Sequence, residues 1–153
     1  MTQKSETTQA KLRALKILTR MDKTEQELED ALNRAGFSTE AVREAMDYVR
    51  SFGYLNDASY ARKYVDCYKD RKSCQRIRFD LMKKGIDKDL VNEAIENCED
   101  MDELAVLRRS LHKKWSSEEK PDEKNRNRIA ASLARQGFSS HDIWQVLREE
   151  NLT

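Results

Sequence analysis

The sequence predicts an all-α protein: three tandem three-helix repeats, about nine helices, stacked into an elongated, curved solenoid-like array. Three observations carry this expectation. The 153 residues include only four glycines and one proline, so material for β-turns is scarce. Leu, Ala, Glu, Lys and Arg, all good helix formers, are abundant. Three of the glycines, Gly36, Gly85 and Gly137, lie 49 and 52 residues apart in surroundings that agree position by position.

Four residues before each glycine stands a leucine (Leu32, Leu81, Leu133), and eight before it Leu28, Ile77 or Ile129. One residue after it comes Phe37, Ile86 or Phe138. The boundaries that follow are a polar N-terminal tail at 1–9 and repeats at 10–55, 56–100 and 101–153, forming one continuous domain. A three-helix unit of this size buries too little by itself, so neighbours must pack on one another.

The first helix of each repeat is marked by an apolar stripe: Leu12, Leu15 and Leu18, then Tyr60, Tyr64 and Tyr68 with Ala61 and Val65, then Leu104, Leu107, Leu111 and Trp115. The middle helix starts twelve residues before its glycine, where Thr24, Ser73 or Asn125 can cap orphan amides. Glu27, three residues after Thr24, completes a capping box. The glycine supplies a left-handed end at C′, which places Leu32, Leu81 and Leu133 at C3 against the apolar residue that follows it. Ser38, Asp87 or Ser139 then caps the third helix, with apolar faces Val42/Ala45/Met46/Val49, Val91/Ala94/Ile95/Cys98 and Ile143/Val146/Leu147. The connections are short except for 116–124, which reads as an exposed acidic loop.

Composition excludes several functions. Charged residues make up 37% of the chain, above the roughly 25% of ordinary domains, and hydrophobic ones only 38%. With 29 bases against 28 acids the net charge is +1, so a uniformly cationic coat for nucleic acid is ruled out. No apolar run approaches the roughly 18 residues of a membrane span, and the polar start is unlike a signal peptide. A soluble cytoplasmic protein is expected. Cys67, Cys74 and Cys98 form no C-x-x-C pair, so neither a disulfide framework nor a zinc site is indicated. His112 and His141 stand alone, and no glycine-rich phosphate loop occurs. The expectation is a non-enzyme without cofactor or metal.

Local charge does not cancel. Residues 69–84 hold Lys69, Arg71, Lys72, Arg76, Arg78, Lys83 and Lys84 against Asp70 and Asp80. Lys124, Arg126, Arg128 and Arg135 form a second window without an acid. Both windows cover the middle helix and its approach, whereas the first repeat is acidic there, with Glu25, Glu27, Glu29 and Asp30. A charge run on a helix is ordinarily its solvated face. Its repetition supports a contact stripe for an anionic partner, helped by helix N-termini. The site candidates are therefore Lys69, Arg71, Lys72, Arg76, Arg78, Lys83, Lys84, Arg126, Arg128 and Arg135. The tyrosine stripe could stack on bases but is more simply a core face, with Tyr68 the most exposed.

Residues 53–61, Gly-Tyr-Leu-Asn-Asp-Ala-Ser-Tyr-Ala, and 75–86, Gln-Arg-Ile-Arg-Phe-Asp-Leu-Met-Lys-Lys-Gly-Ile, resemble the two best-marked stretches of the RecX regulatory family. Ala134-Arg135-Gln136-Gly137-Phe138, with Ile143 beyond, is similar to its third repeat. Ser73-Cys74 replaces the family's usual Gly-Pro, and Asn56 its usual acid. The resemblance covers about residues 10–150. It implies a three-repeat, nine-helix protein that binds the RecA recombinase filament on single-stranded DNA and modulates it in repair, recombination and the SOS response; a monomer is expected. Damping of filament extension, ATP hydrolysis, strand exchange and co-protease action is the commoner sign; some lineages use the protein positively. The competing expectations are an autonomous helical nucleic-acid-binding module and a protein-only scaffold.

Overall fold

The computed structural model describes residues 3–153, and the side chains from Ser5 onward. Among the described residues it is all helical, with nine helices: α1 Gln3–Arg20, α2 Glu25–Arg34, α3 Thr39–Ser51, α4 Asp57–Tyr68, α5 Cys74–Lys83, α6 Lys88–Glu96, α7 Glu103–Lys114, α8 Glu123–Arg135 and α9 Ser140–Glu149. No helix among them is long and apolar enough to cross a membrane.

The local signals act as the sequence suggests in most places. Thr24 Oγ1 accepts the Glu27 amide while Glu27 accepts the Thr24 amide, a complete capping box. Ser38, Ser73 and Ser139 accept from Ala41, Arg76 and Asp142, each three residues on. The three repeat glycines have φ of +91°, +89° and +100°. Behind two of them the Ile86 amide bonds Leu81 O and the Phe138 amide bonds Leu133 O, the six-to-one bond of a Schellman end. Leu32, Leu81 and Leu133 are fully buried.

Two expectations are corrected. Residues 3–9 of the supposed tail belong to α1: Thr7 and Ala10 are buried, and Glu6 accepts the Ser38 amide at 2.7 Å, so docking on the second connection overrides their polar composition. Met1 and Thr2 lie outside the described residues. In the third repeat the cap is Asp122, which accepts the Asn125 amide at 2.8 Å; Asn125 sits inside the first turn, and the loop ends a residue or two earlier than expected. Asp122, three residues upstream and just after buried Pro121, caps as well as Asn would and adds a turn to the helix.

The chain divides into two compact units. One runs up to Lys63 and includes Leu81–Ala94; the other is Tyr64–Asp80 with Ile95–Thr153. The first has a core of Leu28, Leu32, Val42, Met46, Val49 and Leu55 with Ala10 and Ala14 of α1. The second packs Val106, Leu107, Leu111, Ile129, Leu133, Phe138, Ile143 and Leu147. The helices α4, α5 and α6 contribute residues to both.

Each unit contains the same joint between repeats. In the first, the buried Thr24 hydroxyl donates to Lys84 O at 2.7 Å, and the Glu25 amide donates to Asp57 Oδ1 at 2.9 Å. In the second, the buried Ser73 hydroxyl donates to Gln136 O at 2.7 Å, and the Cys74 amide donates to Glu103 Oε1 at 2.9 Å. Thus one small hydroxyl caps its own helix and grips the carbonyl just before the next repeat's glycine. The first-turn acid of the next repeat takes the adjacent amide. This is why Thr or Ser stands where a cap alone would accept Asp: a carboxylate has no proton to give the carbonyl.

Candidate functional site

The predicted bases fall into two groups. Around α5 most are held internally. Lys72 Nζ lies 2.7 Å from Asp80 Oδ2 and 3.0 Å from the Tyr64 hydroxyl, above the Tyr68 ring at 4.1 Å. Tyr64 donates to the same Asp80 oxygen at 2.7 Å, and Arg76 Nε approaches the other at 3.2 Å. Burial pushes the Asp80 carboxyl up, but the hydrogen bonds from Lys72 and Tyr64 prevail and hold it below the usual carboxylate range. Burial likewise works against the charge on Lys72, while its bonds to Asp80 and Tyr64 raise its pKa. Lys72 and Arg76 therefore neutralise a carboxylate whose side chain is only 12% exposed.

The neighbouring candidates are similarly engaged. Lys69 binds Asp100 and Asp66, and these hydrogen bonds raise its pKa. Arg71 donates to Cys67 O at 3.3 Å and lies 5.2 Å from the Tyr68 ring centre. Lys84 pairs with Glu27 at 3.4 Å beside the Tyr60 ring. Arg78 is half-buried with internal interactions. The tyrosine stripe is half-buried rather than a closed core, because its rings and hydroxyls serve these cations.

The second group is different. Lys124, Arg128, Ala131 and Arg135 lie at i, i+4, i+7 and i+11 along α8 and are all exposed, which puts three bases and a small residue on one face. Among the described residues no carboxylate comes within ion-pair distance of Lys83, Arg126, Arg128 or Arg135. Arg126 is half-buried beside that face. This is the part of the predicted stripe available to an anionic partner.

Sequence reasoning overlooked three things. Asp80, a lone acid in a basic window, organises that window. Arg109 donates to Asp70 O at 2.6 Å and holds the α4–α5 turn. Arg13, Lys16 and Arg20 border a small groove with Ile17 on α1, a basic face in the repeat judged acidic; their i, i+3, i+7 spacing was the available signal.

His112 contacts Glu150 at 3.2 Å on an exposed surface. The Cys74 thiol rests against Met101 Sδ; burial, then Glu103, pushes it up to about 11, which suppresses the thiolate. No group of three or more His, Cys, Asp or Glu among the described residues could hold a metal ion.

Comparison with known proteins matches models of three RecX three-helix domains in order: the first at residues 10–48, the second at 56–95 and the third at 101–147. Regulatory protein RecX of Clostridium botulinum is 30% identical over 142 residues, covering 89% of this chain and 66% of the relative, so the chain spans just under two thirds of that protein. Regulatory protein RecX of Caldanaerobacter subterraneus is 31% identical over 150 residues, covering 97% of this chain and 72% of the relative. The crystal structure of RecX from Lactobacillus salivarius aligns with a TM-score of 0.79 and 25% identity, over 97% of this chain and 99% of that one. A second crystal structure of a regulatory protein RecX aligns at 0.83 with 20% identity over 96% of this chain and 73% of that one, which bears on the fold alone.

Proposed function

Because the chain belongs to the RecX family, we propose that it is a non-enzymatic regulator that binds the RecA recombinase filament on single-stranded DNA. Its action restrains filament extension and the ATP hydrolysis, strand exchange and co-protease action that depend on it. The observation that supports contact with an anionic assembly is the exposed, acid-free face of α8 with Lys124, Arg128 and Arg135. Phosphate affinity scales with the number of cations delivered to the strand. A chain of net charge +1 delivers them only by segregating them, as α8 does. The near-neutral total also favours a partner that presents protein and phosphate together over free nucleic acid.

The test is co-sedimentation with recombinase alone, with single-stranded DNA alone, and with the assembled filament. The protein is expected to pellet chiefly with the filament. Reversing Arg126, Arg128 and Arg135 to Glu should weaken that binding and lower its log–log salt slope by roughly 0.7 per lost phosphate contact. Reversing Arg43, Arg62 and Lys88, bases outside the predicted stripe, makes the same charge change and should do much less. Arg71, Lys72 and Arg76 are unsuitable probes because two of them hold Asp80. Equal binding by the two triple variants, at unchanged helicity, removes α8 from the contact. Equal pelleting with DNA alone and with the filament removes the recombinase from the proposal.

A further inference from the structure

The first compact unit carries a feature that the basic face of α8 does not explain. The turn between α3 and α4 exposes two large aromatics, Phe52 at 59% and Tyr54 at 57%. Their rings are nearly parallel, 18° apart with centroids 6.0 Å from each other, and Phe52 is backed by Tyr48 at 4.9 Å. Lys11 Nζ sits 5.0 Å from the Tyr48 ring centre. Tyr54 is thus a braced ring rather than a loose one. It also lines a cleft of about 650 Å³ whose other walls include Leu15, Asp22, Lys23, Asn56, Tyr60 and Lys63. That volume lies within the range of small-ligand sites.

The lining narrows the ligand class. An apolar protein segment would call for a lining depleted of charge, whereas this one mixes flat rings with an amide, the ammonium groups of Lys23 and Lys63 and the single carboxylate of Asp22. Asn56 Oδ1 accepts the Ser59 amide, which leaves its NH₂ group to donate. Lys63 is paired with Asp22 at 3.3 Å, but both side chains are about two-thirds exposed (68% and 67%), so the pair yields readily to a phosphate. A planar, hydrogen-bonding group tethered to an anion satisfies all of these at once.

We propose that this cleft takes one unstacked base of a single strand, with Tyr54, braced by Phe52, as the stacking platform and Lys63 on the adjoining phosphate. The inference rests on the reading that the protein meets single-stranded DNA, and it assigns the first repeat a base contact where α8 makes phosphate contacts. Stacking of this kind is indifferent to sequence because every base has a π-face.

The test is photocrosslinking of the whole chain to oligothymidine carrying one 5-iodouracil, with and without recombinase filament, followed by peptide mass spectrometry. An adduct on Tyr54 or Tyr60 is expected. Tyr54→Ala should weaken strand affinity by about 5- to 150-fold, the range for one lost base stack, while Tyr54→Phe should retain it. The Tyr54→Ala loss should vanish on an abasic strand. Adducts confined to other residues, with strand binding intact, refute the cleft but leave the wider reading standing. A Tyr54→Ala defect in binding recombinase without DNA, with strand affinity unchanged, shows that the cleft takes protein instead. Failure to engage the strand both alone and in the filament refutes the reading and the cleft together.

Discussion

Substituting alanine at Gly85 tests the joint between repeats against an internal control. Gly85 and Gly36 have φ of +89° and +91°, so the backbone cost of adding a Cβ is nearly the same at both, roughly 1–2 kcal/mol. Their surroundings differ. A Cβ at Gly36 meets nothing within 4 Å, whereas at Gly85 it would overlap Gln26 Cβ and lie 2.8 Å from Gln26 Cγ. These atoms are close to the α2 backbone and cannot swing aside, so the turn must move away from α2. The nearest casualty is the hydrogen bond from buried Thr24 to Lys84 O. Leaving such partners unsatisfied costs about 1–3 kcal/mol, and the overpacking costs about as much again. Gly85→Ala should therefore lose about 2–6 kcal/mol more than Gly36→Ala. With a urea m-value of about 2 kcal/mol/M, the two denaturation midpoints should differ by about 1–3 M. Gly137→Ala should behave like Gly85→Ala, since its Cβ would come 2.5 Å from Ser73 Oγ. Equal midpoints for Gly36→Ala and Gly85→Ala would refute the claim that the glycine turns clamp one repeat to the next.

Two further outcomes follow from the titrating groups. Asp80 has a folded pKa below its unfolded value, so its stabilising contribution is present above about pH 4 and is lost as pH falls through the folded pKa. The stability difference between wild type and Asp80→Asn should accordingly shrink between pH 6 and pH 3 in urea titrations; a gap independent of pH would show that the Lys72–Tyr64–Asp80 knot contributes no charge stabilisation. The Cys74 thiol, pushed up to about 11, is thiolate in only about one molecule in a thousand at pH 8. Iodoacetamide should then modify exposed Cys67 well before Cys74 in the folded protein, as read by peptide mass spectrometry, and equal rates would place Cys74 in a different environment.

The repeat, its caps and its leucines were legible because each is a short-range signal fixed by helix geometry: a hydroxyl before the first turn, a glycine after the last, a leucine four residues earlier. What escaped was set by contacts distant in sequence. Residues 3–9 look polar, yet Glu6 is tied to Ser38 and Thr7 is buried. Asn125 matched Thr24 and Ser73 by count, but nothing in the local sequence says that those two hydroxyls also grip a carbonyl about 60 residues away. The basic windows were visible as composition, whereas their division into engaged and available cations depends on where Asp80, Asp100 and Glu27 fold back. Arg128 and Arg135 could have been separated from Lys72 and Arg76 only by noticing that Asp80 has no counterpart in the third repeat, where Ser132 stands.

The sharing of α4, α5 and α6 between the two compact units also bears on how the molecule melts. If either unit came apart by itself, the unfolding front would stop inside three helices, each broken near its middle or its last turn. Every such break exposes new orphan amides and carbonyls, and regrowth from it proceeds by cheap propagation rather than costly nucleation. Intermediate states with one unit open are therefore penalised beyond what their lost core would cost. The sharing of these helices by the second repeat therefore favours cooperative unfolding: a chain whose stability is assembled locally, joint by joint, is expected to lose it as a single transition.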